Sequence, residues 1–395
     1  MGALEGIRVL DLGLLVQAPQ CGQMLSDLGA EVIKVELPGL GDQARWIPAS
    51  QTDPRPPYFH GCNRGKKSFT VDLRKPDGQA VFKRLVATAD VMLSNFKAGT
   101  LDEWSLGYAA LDAINPRLIY ATGSVFGPLG PHAGREGADL AGQAAGGLIL
   151  TTGLSTGEPT PVGATIADHM ASQNMTTGVL AALIARATTG RGQRVDVSLV
   201  GGQLWAQASE LTAYFLTGAQ ARPADRGHPL LHAIYGIFPT SDGWIAMIGV
   251  PPQNKSQFCA AIGRPELIDD PRIQALLMSP DEKRGVFSIL NEIFPTDTTD
   301  NWVARLRAHG QRVAPVNDYD RIVADEHNSL NGYIVEVDHP QFGQTRWMGN
   351  PIRMSDTPVT PGVAGPELGQ DTELTLLDLG YDWDEIEQLK ASGAV

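Results

Sequence analysis

Cysteine is scarce in this chain of 395 residues. Its three cysteines, Cys21, Cys62 and Cys259, are odd in number and far apart, which excludes a disulfide framework and a paired-cysteine metal site. Such usage predicts a reducing, cytoplasmic setting, with each thiol packed as a small apolar group. No apolar run approaches the ~20 residues that span a bilayer. No basic-then-apolar leader precedes the strand-like "IRVLDLG", so no membrane partner is expected. The eight histidines show no H-E-x-x-H or similar ligand spacing, and no metal is predicted. A G-x-S-x-G nucleophile elbow is missing as well. The loop after the first strand, "GLLVQAPQCG", is not G-x-G-x-x-G, and a Walker P-loop is absent, so dinucleotide binding loses its phosphate fingerprint. Positive charge is in deficit: 31 Lys and Arg face 44 Asp and Glu, a net −13, which argues against nucleic acid as a partner.

What is present is an alternation of strand and helix patterns. "IRVLDL" (7–12), "EVIKVE" (31–36), "DVMLSN" (90–95) and "RLIYATGSV" (117–125) read as buried strands. Helical stretches at 19–29, 77–89 and 101–114 separate them. This rhythm predicts an α/β fold with a doubly wound parallel sheet and ligands beyond the carboxyl ends of its strands. "RPADRGHP" (222–229) is a Pro- and Gly-punctuated boundary. After it, "YGIFPTSDGWIAMIGV" reads as a hairpin turning at Ser241–Gly243, followed by helical stretches near 254–262, 282–294 and 300–309. The expected organisation is a large domain over 1–222, an inserted smaller α+β domain over 223–325, and a segment 326–395 that returns to the large domain.

Charge is uneven along the chain. The first hundred residues carry a balance of +2 and the rest −15. "NRGKKSFTVDLRK" (63–75) gathers Arg64, Lys66, Lys67, Arg74 and Lys75 around one acid, Asp72. Two readings stand side by side: a solvated basic face, or a site for an anionic, phosphorylated ligand. Asp139 in "GADLAGQ" and Asp168 in "PVGATIADHM" each stand where a small-residue stretch turns into a helical run. By spacing alone both are ordinary helix N-caps. His169 adjoins Asp168, but neighbours on a helix diverge by about 100°, so the two do not form a catalytic pair.

Over nearly the whole chain, successive blocks resemble the class III coenzyme A transferases. They include "LEGIRVLDLG", "GAEVIKVELPGLGD", "NRGKKSFTVDLRKPDG", "ADVMLSNFKAGTLDEWSLGY", "NPRLIYATGSVFGPLGP" and "PELGQDTELTLLDLGY". The resemblance implies an acyl-CoA:carboxylate CoA-transferase, with Asp168 as nucleophile and Gln17 and Asp139 as its catalytic companions. It implies coenzyme A contacts at Val16, Val71, Arg74, Asn95 and Phe96. Acyl-CoA enters as a substrate, with a small carboxylic acid as its partner and no permanently bound cofactor. It also implies an interlocked homodimer.

The family includes α-methylacyl-CoA racemases, whose His–Asp pair places a histidine 30 residues before the aspartate. That position is Ala138, which cannot abstract a proton. Other departures are Glu103, where the family can carry arginine; "GQDT" (369–372) in place of a common G-E-H-T; and the lack of the glycine-rich loop of formyl-CoA transferase. By resemblance, the reaction runs through mixed anhydrides and an aspartyl-CoA thioester on Asp168. Gln17 and the backbone N–H groups that open the Asp168 helix are the expected oxyanion donors. Racemisation or isomerisation on the same fold, and non-catalytic CoA binding, are the alternatives.

Overall fold

A computed structural model describes residues 2–154, 156–362 and 364–395. The chain forms two compact units. The first takes residues up to Gly146, then 163–206 and 326–395; the second takes 147–162 and 207–325.

The first unit is built on a six-stranded parallel sheet. Its strands and the helices between them are β1 (Arg8–Asp11), α1 (Gln17–Asp27), β2 (Glu31–Glu36), α2 (Pro57–Cys62), β3 (Lys67–Thr70), α3 (Pro76–Val86), β4 (Val91–Ser94), α4 (Thr100–Glu103), α5 (Tyr108–Ile114) and β5 (Ile119–Ser124). The spatial order is β3-β2-β1-β4-β5-β6, where β6 is Arg194–Ser198. Strand order reverses between β1 and β4, so the loops leaving these two strands flank the crevice where doubly wound sheets bind ligands.

Both faces of the sheet are covered, which is why its strands read as continuous apolar runs. Leu10, Ile33, Phe69 and Met92 face one core with Phe82 of α3. Val9, Val32, Val91 and Ile119 face the other, against Leu25 of α1 and Met175 and Val179. Burying each such side chain contributes about 1.5–3 kcal/mol.

One strand and one helix depart from the sequence reading. β3 lies inside the basic stretch 63–75, where no strand is predicted. Its outer edge is closed by the distant "GQDT" segment: Ser68 N–H donates to the Asp371 carboxylate at 2.8 Å, and Thr70 N–H donates to Thr372 Oγ1 at 2.9 Å. The helix expected over 101–114 is broken at Ser105, whose φ is 58°.

The chain continues through α6 (Asp139–Ala145), then α7 (Leu148–Thr151) of the second unit, then the 24-residue α8 (Ile166–Thr189) of the first. α9 (Leu199–Ala206) follows β6.

The second unit holds α10 (Ala208–Thr217) and an antiparallel sheet of β7 (Gly227–His228), β8 (Leu231–Pro239), β9 (Trp244–Ile248) and β10 (Val313–Pro315). The β8–β9 hairpin turns where the sequence places it, with Thr240 N–H donating to Gly243 O at 2.8 Å. Phe238, Phe258, Phe294 and Trp302 centre its core. Among the described residues no helix is long and apolar enough to cross a membrane.

Candidate active site

Three loops at the carboxyl end of the sheet converge on one constellation. After β1 the chain runs Leu12–Val16 and enters α1 at Gln17. Leu15 adopts φ 63°, a left-handed conformation that costs a non-glycine residue of order 1 kcal/mol. After β4 come Asn95 and Phe96. The Asn95 amide grips the β1 loop from across the strand-order switch: Leu14 N–H donates to its Oδ1, and its Nδ2 donates to Leu14 O, both at 2.8 Å.

At the end of β5, Gly123 leaves room for the Gln17 side chain. A Cβ there would stand 2.4 Å from Gln17 Oε1. Gln17 is 3% exposed, and its Nε2 donates to Ser124 O over a long 3.4 Å.

Asp168 is the third residue of α8, not its N-cap, which is Thr165. Thr165 supplies no side-chain cap. Asp139 does so from another element: its Oδ1 accepts Ala167 N–H at 2.7 Å and Asp168 N–H at 3.2 Å. Its Oδ2 accepts Gln143 Nε2 at 2.6 Å. Asp139 opens α6, yet it caps α8.

Burial, followed by the charge of Asp139, pushes the Asp168 carboxyl up from 3.8 to about 7. The remaining early N–H groups of α8 are also engaged: Ile166 N–H with Ala164 O at 2.7 Å, and His169 N–H with Thr165 O at 3.0 Å. This corrects the expectation that these amides are oxyanion donors. Among the described residues the Gln17 amide has only its long bond to Ser124 O, and it retains that capacity.

His169 joins α8 to α1. Its Nδ1 lies 2.6 Å from Gln20 Oε1, and its Nε2 lies 3.2 Å from Thr165 Oγ1. With Val16, Gln20 and Gln173 it lines an open pocket of about 690 Å³.

Of the residues expected to contact coenzyme A, Val16 is 2% exposed and borders this pocket. Phe96 packs edge-on against Trp104 at 5.8 Å and lines a smaller recess with Gly123 and Ser124. Val71 lies in the core beside Leu73 and Phe82. Arg74 stands on the surface with two bonds of 2.8 Å to the Asp72 carboxylate, which holds its pKa above the usual value.

The basic stretch therefore divides. Lys67 and Arg74 are largely exposed, whereas Arg64 and Lys66 are buried. Lys66 Nζ donates to Asp11 at 2.6 Å, and to Pro19 O and Asn63 Oδ1 at 2.7 Å each. Beside it, Lys34 Nζ pairs with Asp42 at 2.8 Å and donates to Gly13 O at 2.8 Å. Burial works against the Lys34 ammonium, but Asp11, Asp42 and Glu36 outweigh it and hold its pKa above the ordinary value.

The roles of Lys34, Asp42, Gln20 and His169 escaped the sequence reading. For Lys34 a signal exists: a lysine inside the apolar run "EVIKVE" is a charge that the fold must pair.

Residues 4–372 match the model of CoA-transferase family III. A succinyl-CoA–D-citramalate CoA-transferase of Chloroflexus aurantiacus is 34% identical, with 99% of this chain and 98% of that protein covered. A succinyl-CoA:glutarate CoA-transferase of Mus musculus is 32% identical, covering 100% and 91% respectively. The crystal structure of a CAIB/BAIF family protein from Brucella suis superposes with a TM-score of 0.85 at 32% identity, over 96% of this chain and 99% of that one. Fold, site geometry and full-length similarity agree: this chain is an enzyme of CoA-transferase family III.

Proposed function

We propose that the protein moves coenzyme A from a donor acyl-CoA to a small carboxylic acid, with Asp168 as the nucleophile. The observation that carries this reading is the Asp168 carboxyl itself. It is half-buried, burial and then the charge of Asp139 push its pKa up to about 7, and its backbone N–H is anchored by Asp139. A carboxylate deprived of hydration and held in place is a far better nucleophile than one in water.

Asp168 attacks the thioester carbonyl, giving a mixed anhydride and the CoA thiolate. The thiolate attacks the aspartyl carbonyl, forming the aspartyl-CoA thioester and releasing the donor's carboxylate. The acceptor carboxylate then attacks this thioester, and a second anhydride forms as the thiolate leaves. Attack of the thiolate on the acyl carbonyl yields the new acyl-CoA and restores Asp168. Each step exchanges groups of similar energy, so no external energy source enters. Gln17 donates to the oxyanions.

By resemblance, Val16, Arg74 and Phe96 serve the coenzyme A moiety, with Arg74 suited to a phosphate and Phe96 offering a ring face, whereas the Val71 side chain packs in the core and both heteroatoms of the Asn95 amide are taken by Leu14. The succinyl-CoA named in several relatives supports a dicarboxylic acyl group. Exposed Trp205, Phe215 and Leu216 support a homodimer, in which such side chains would be covered. The cytoplasmic setting rests on the sparse cysteines.

The test is to incubate the protein with succinyl-CoA and a panel of free acids, then treat it with hydroxylamine or borohydride. Mass spectrometry should find the modification on Asp168, and Asp168→Ala should abolish transfer. Full transfer by Asp168→Ala would overturn the reading. Exchange of the α-proton with deuterated water would point to racemisation instead.

A further inference from the structure

The loop between β1 and α1 is held almost entirely by side chains from elsewhere. Gly13 N–H donates to Asp11 Oδ1 at 2.8 Å, and Gly13 O accepts Lys34 Nζ at 2.8 Å. Leu14 N–H and Leu14 O both bond the Asn95 amide at 2.8 Å. Leu15 N–H donates to Asp42 Oδ1 at 3.0 Å. Five consecutive backbone polar groups are therefore taken by four side chains, from β1 (Asp11), β2 (Lys34), the loop after β2 (Asp42) and the loop after β4 (Asn95).

The network is more than local satisfaction of a turn. Lys34, Asp11 and Asp42 are all fully buried, and Lys34 ties Asp42 to the Gly13 carbonyl. Asp42 is itself fastened: its N–H donates to Glu36 Oε1 at 3.0 Å, and its Oδ1 also accepts Ala44 N–H at 2.9 Å. Burying charges to hold a turn is costly, and a glycine at position 15 would reach φ 63° without strain. The fold instead keeps a leucine there and imposes the conformation from outside. Directly after this turn come Val16 and Gln17, so the turn sets the direction in which α1 starts and where the Gln17 amide stands over Gly123.

We infer that Asn95, Lys34 and Asp42 are positioning residues for the transfer reaction: by clamping Gly13–Leu15 they place the Gln17 amide. The inference rests on the proposed roles of Gln17 and Asp168. It gives Asn95 a different part from the coenzyme A contact that resemblance suggests. Both heteroatoms of its amide are occupied by one backbone residue, and a merely ligand-facing asparagine has no need of that geometry.

The test compares Asn95→Ala and Asn95→Asp with the unaltered protein in steady-state transfer from succinyl-CoA, alongside thermal melting. Asn95→Asp keeps the Oδ1 acceptor for Leu14 N–H, loses the donor to Leu14 O, and serves if the alanine variant fails to fold. Positioning predicts that kcat falls about tenfold or more, with KM for the acyl-CoA within about twofold, because binding survives and the donor is displaced. The rate of Asp168 adduct formation should fall in parallel, and the aspartate variant should lie between. A rise in KM with kcat retained would make Asn95 a ligand contact and overturn the inference, as would kinetics unchanged in both variants. Failure of the underlying reading is distinguishable, since it would show as full activity in Asp168→Ala whatever Asn95 does.

Discussion

Asp139 Oδ1 accepts the backbone N–H of Asp168 at 3.2 Å, so one carboxylate holds the residue that carries another. The first helical residue of α6 thereby does the capping work of α8. The arrangement also sets two negative charges near each other, and this is the second cause, after burial, of the raised Asp168 pKa.

Replacing Asp139 with asparagine keeps an oxygen for Ala167 N–H and removes the charge. The Asp168 pKa should then fall below about 7 while remaining above 3.8, because burial persists. The rise of kcat/KM with pH should move to lower pH by the same amount. Asp139→Ala should in addition lose the cap, at a cost of about 1 kcal/mol in stability. A pH–rate profile and a denaturant titration check both expectations.

Asp168 also makes stability depend on pH. Its pKa is raised on folding, so between 3.8 and about 7 the folded state binds more protons than the unfolded state. Stability is therefore greatest below 3.8 on this account and declines as pH rises through about 7. The full effect has a ceiling of about 4 kcal/mol. Asp168→Asn should melt at a higher temperature than the unaltered protein at pH 8, with the gap closing toward pH 5. An equal shift at both pH values would contradict a strained carboxylate.

Gly123→Ala should cost activity without unfolding the chain. The new Cβ meets the far end of the Gln17 side chain, at 2.4 Å from Oε1, and a flexible amide can swing aside. Displacing one oxyanion donor lowers kcat by about 10²–10³ in well-studied cases. A fall of at least about tenfold in kcat, with an unchanged melting temperature, is expected from kinetics and calorimetry.

The two halves of the basic stretch should behave oppositely. Lys66→Met leaves the Asp11 carboxylate buried without its 2.6 Å partner, which should destabilise by about 3–5 kcal/mol. Arg74→Ala breaks only a solvent-screened surface pair and should leave the melting temperature nearly unchanged. If Arg74 meets a phosphate of coenzyme A, its loss should raise KM for acyl-CoA, more strongly at low ionic strength, with kcat unchanged. Melting curves and salt-dependent kinetics separate the two effects.

Much of the first unit was readable from residue patterns. Continuous apolar runs marked four of the six parallel strands, and glycine with turn residues marked the β8–β9 hairpin. β3 was hidden because its residues, "KSFT", alternate too little and follow charges. Its strand character depends on pairing with β2 and on Asp371 and Thr372, some 300 residues away in sequence. Asp139 and Asp168 stood out as residues, yet local spacing misread both as caps of their own helices.

The sequence alone determined the alternation of strands and helices over most of the first unit, the family pattern, and alanine rather than histidine at position 138. These are written in periodicity and in residue identity, which neighbours along the chain suffice to express. Only the tertiary structure decided which charges are buried, that Asp139 caps α8, and that Asn95 grips Leu14 across the strand-order switch. Hydrogen bonds and desolvation act between groups a few ångströms apart in space, whatever their separation in sequence. Gln17 and Asp168, 151 positions apart, sit on helices α1 and α8, which meet at the His169–Gln20 contact only because both pack into the same unit.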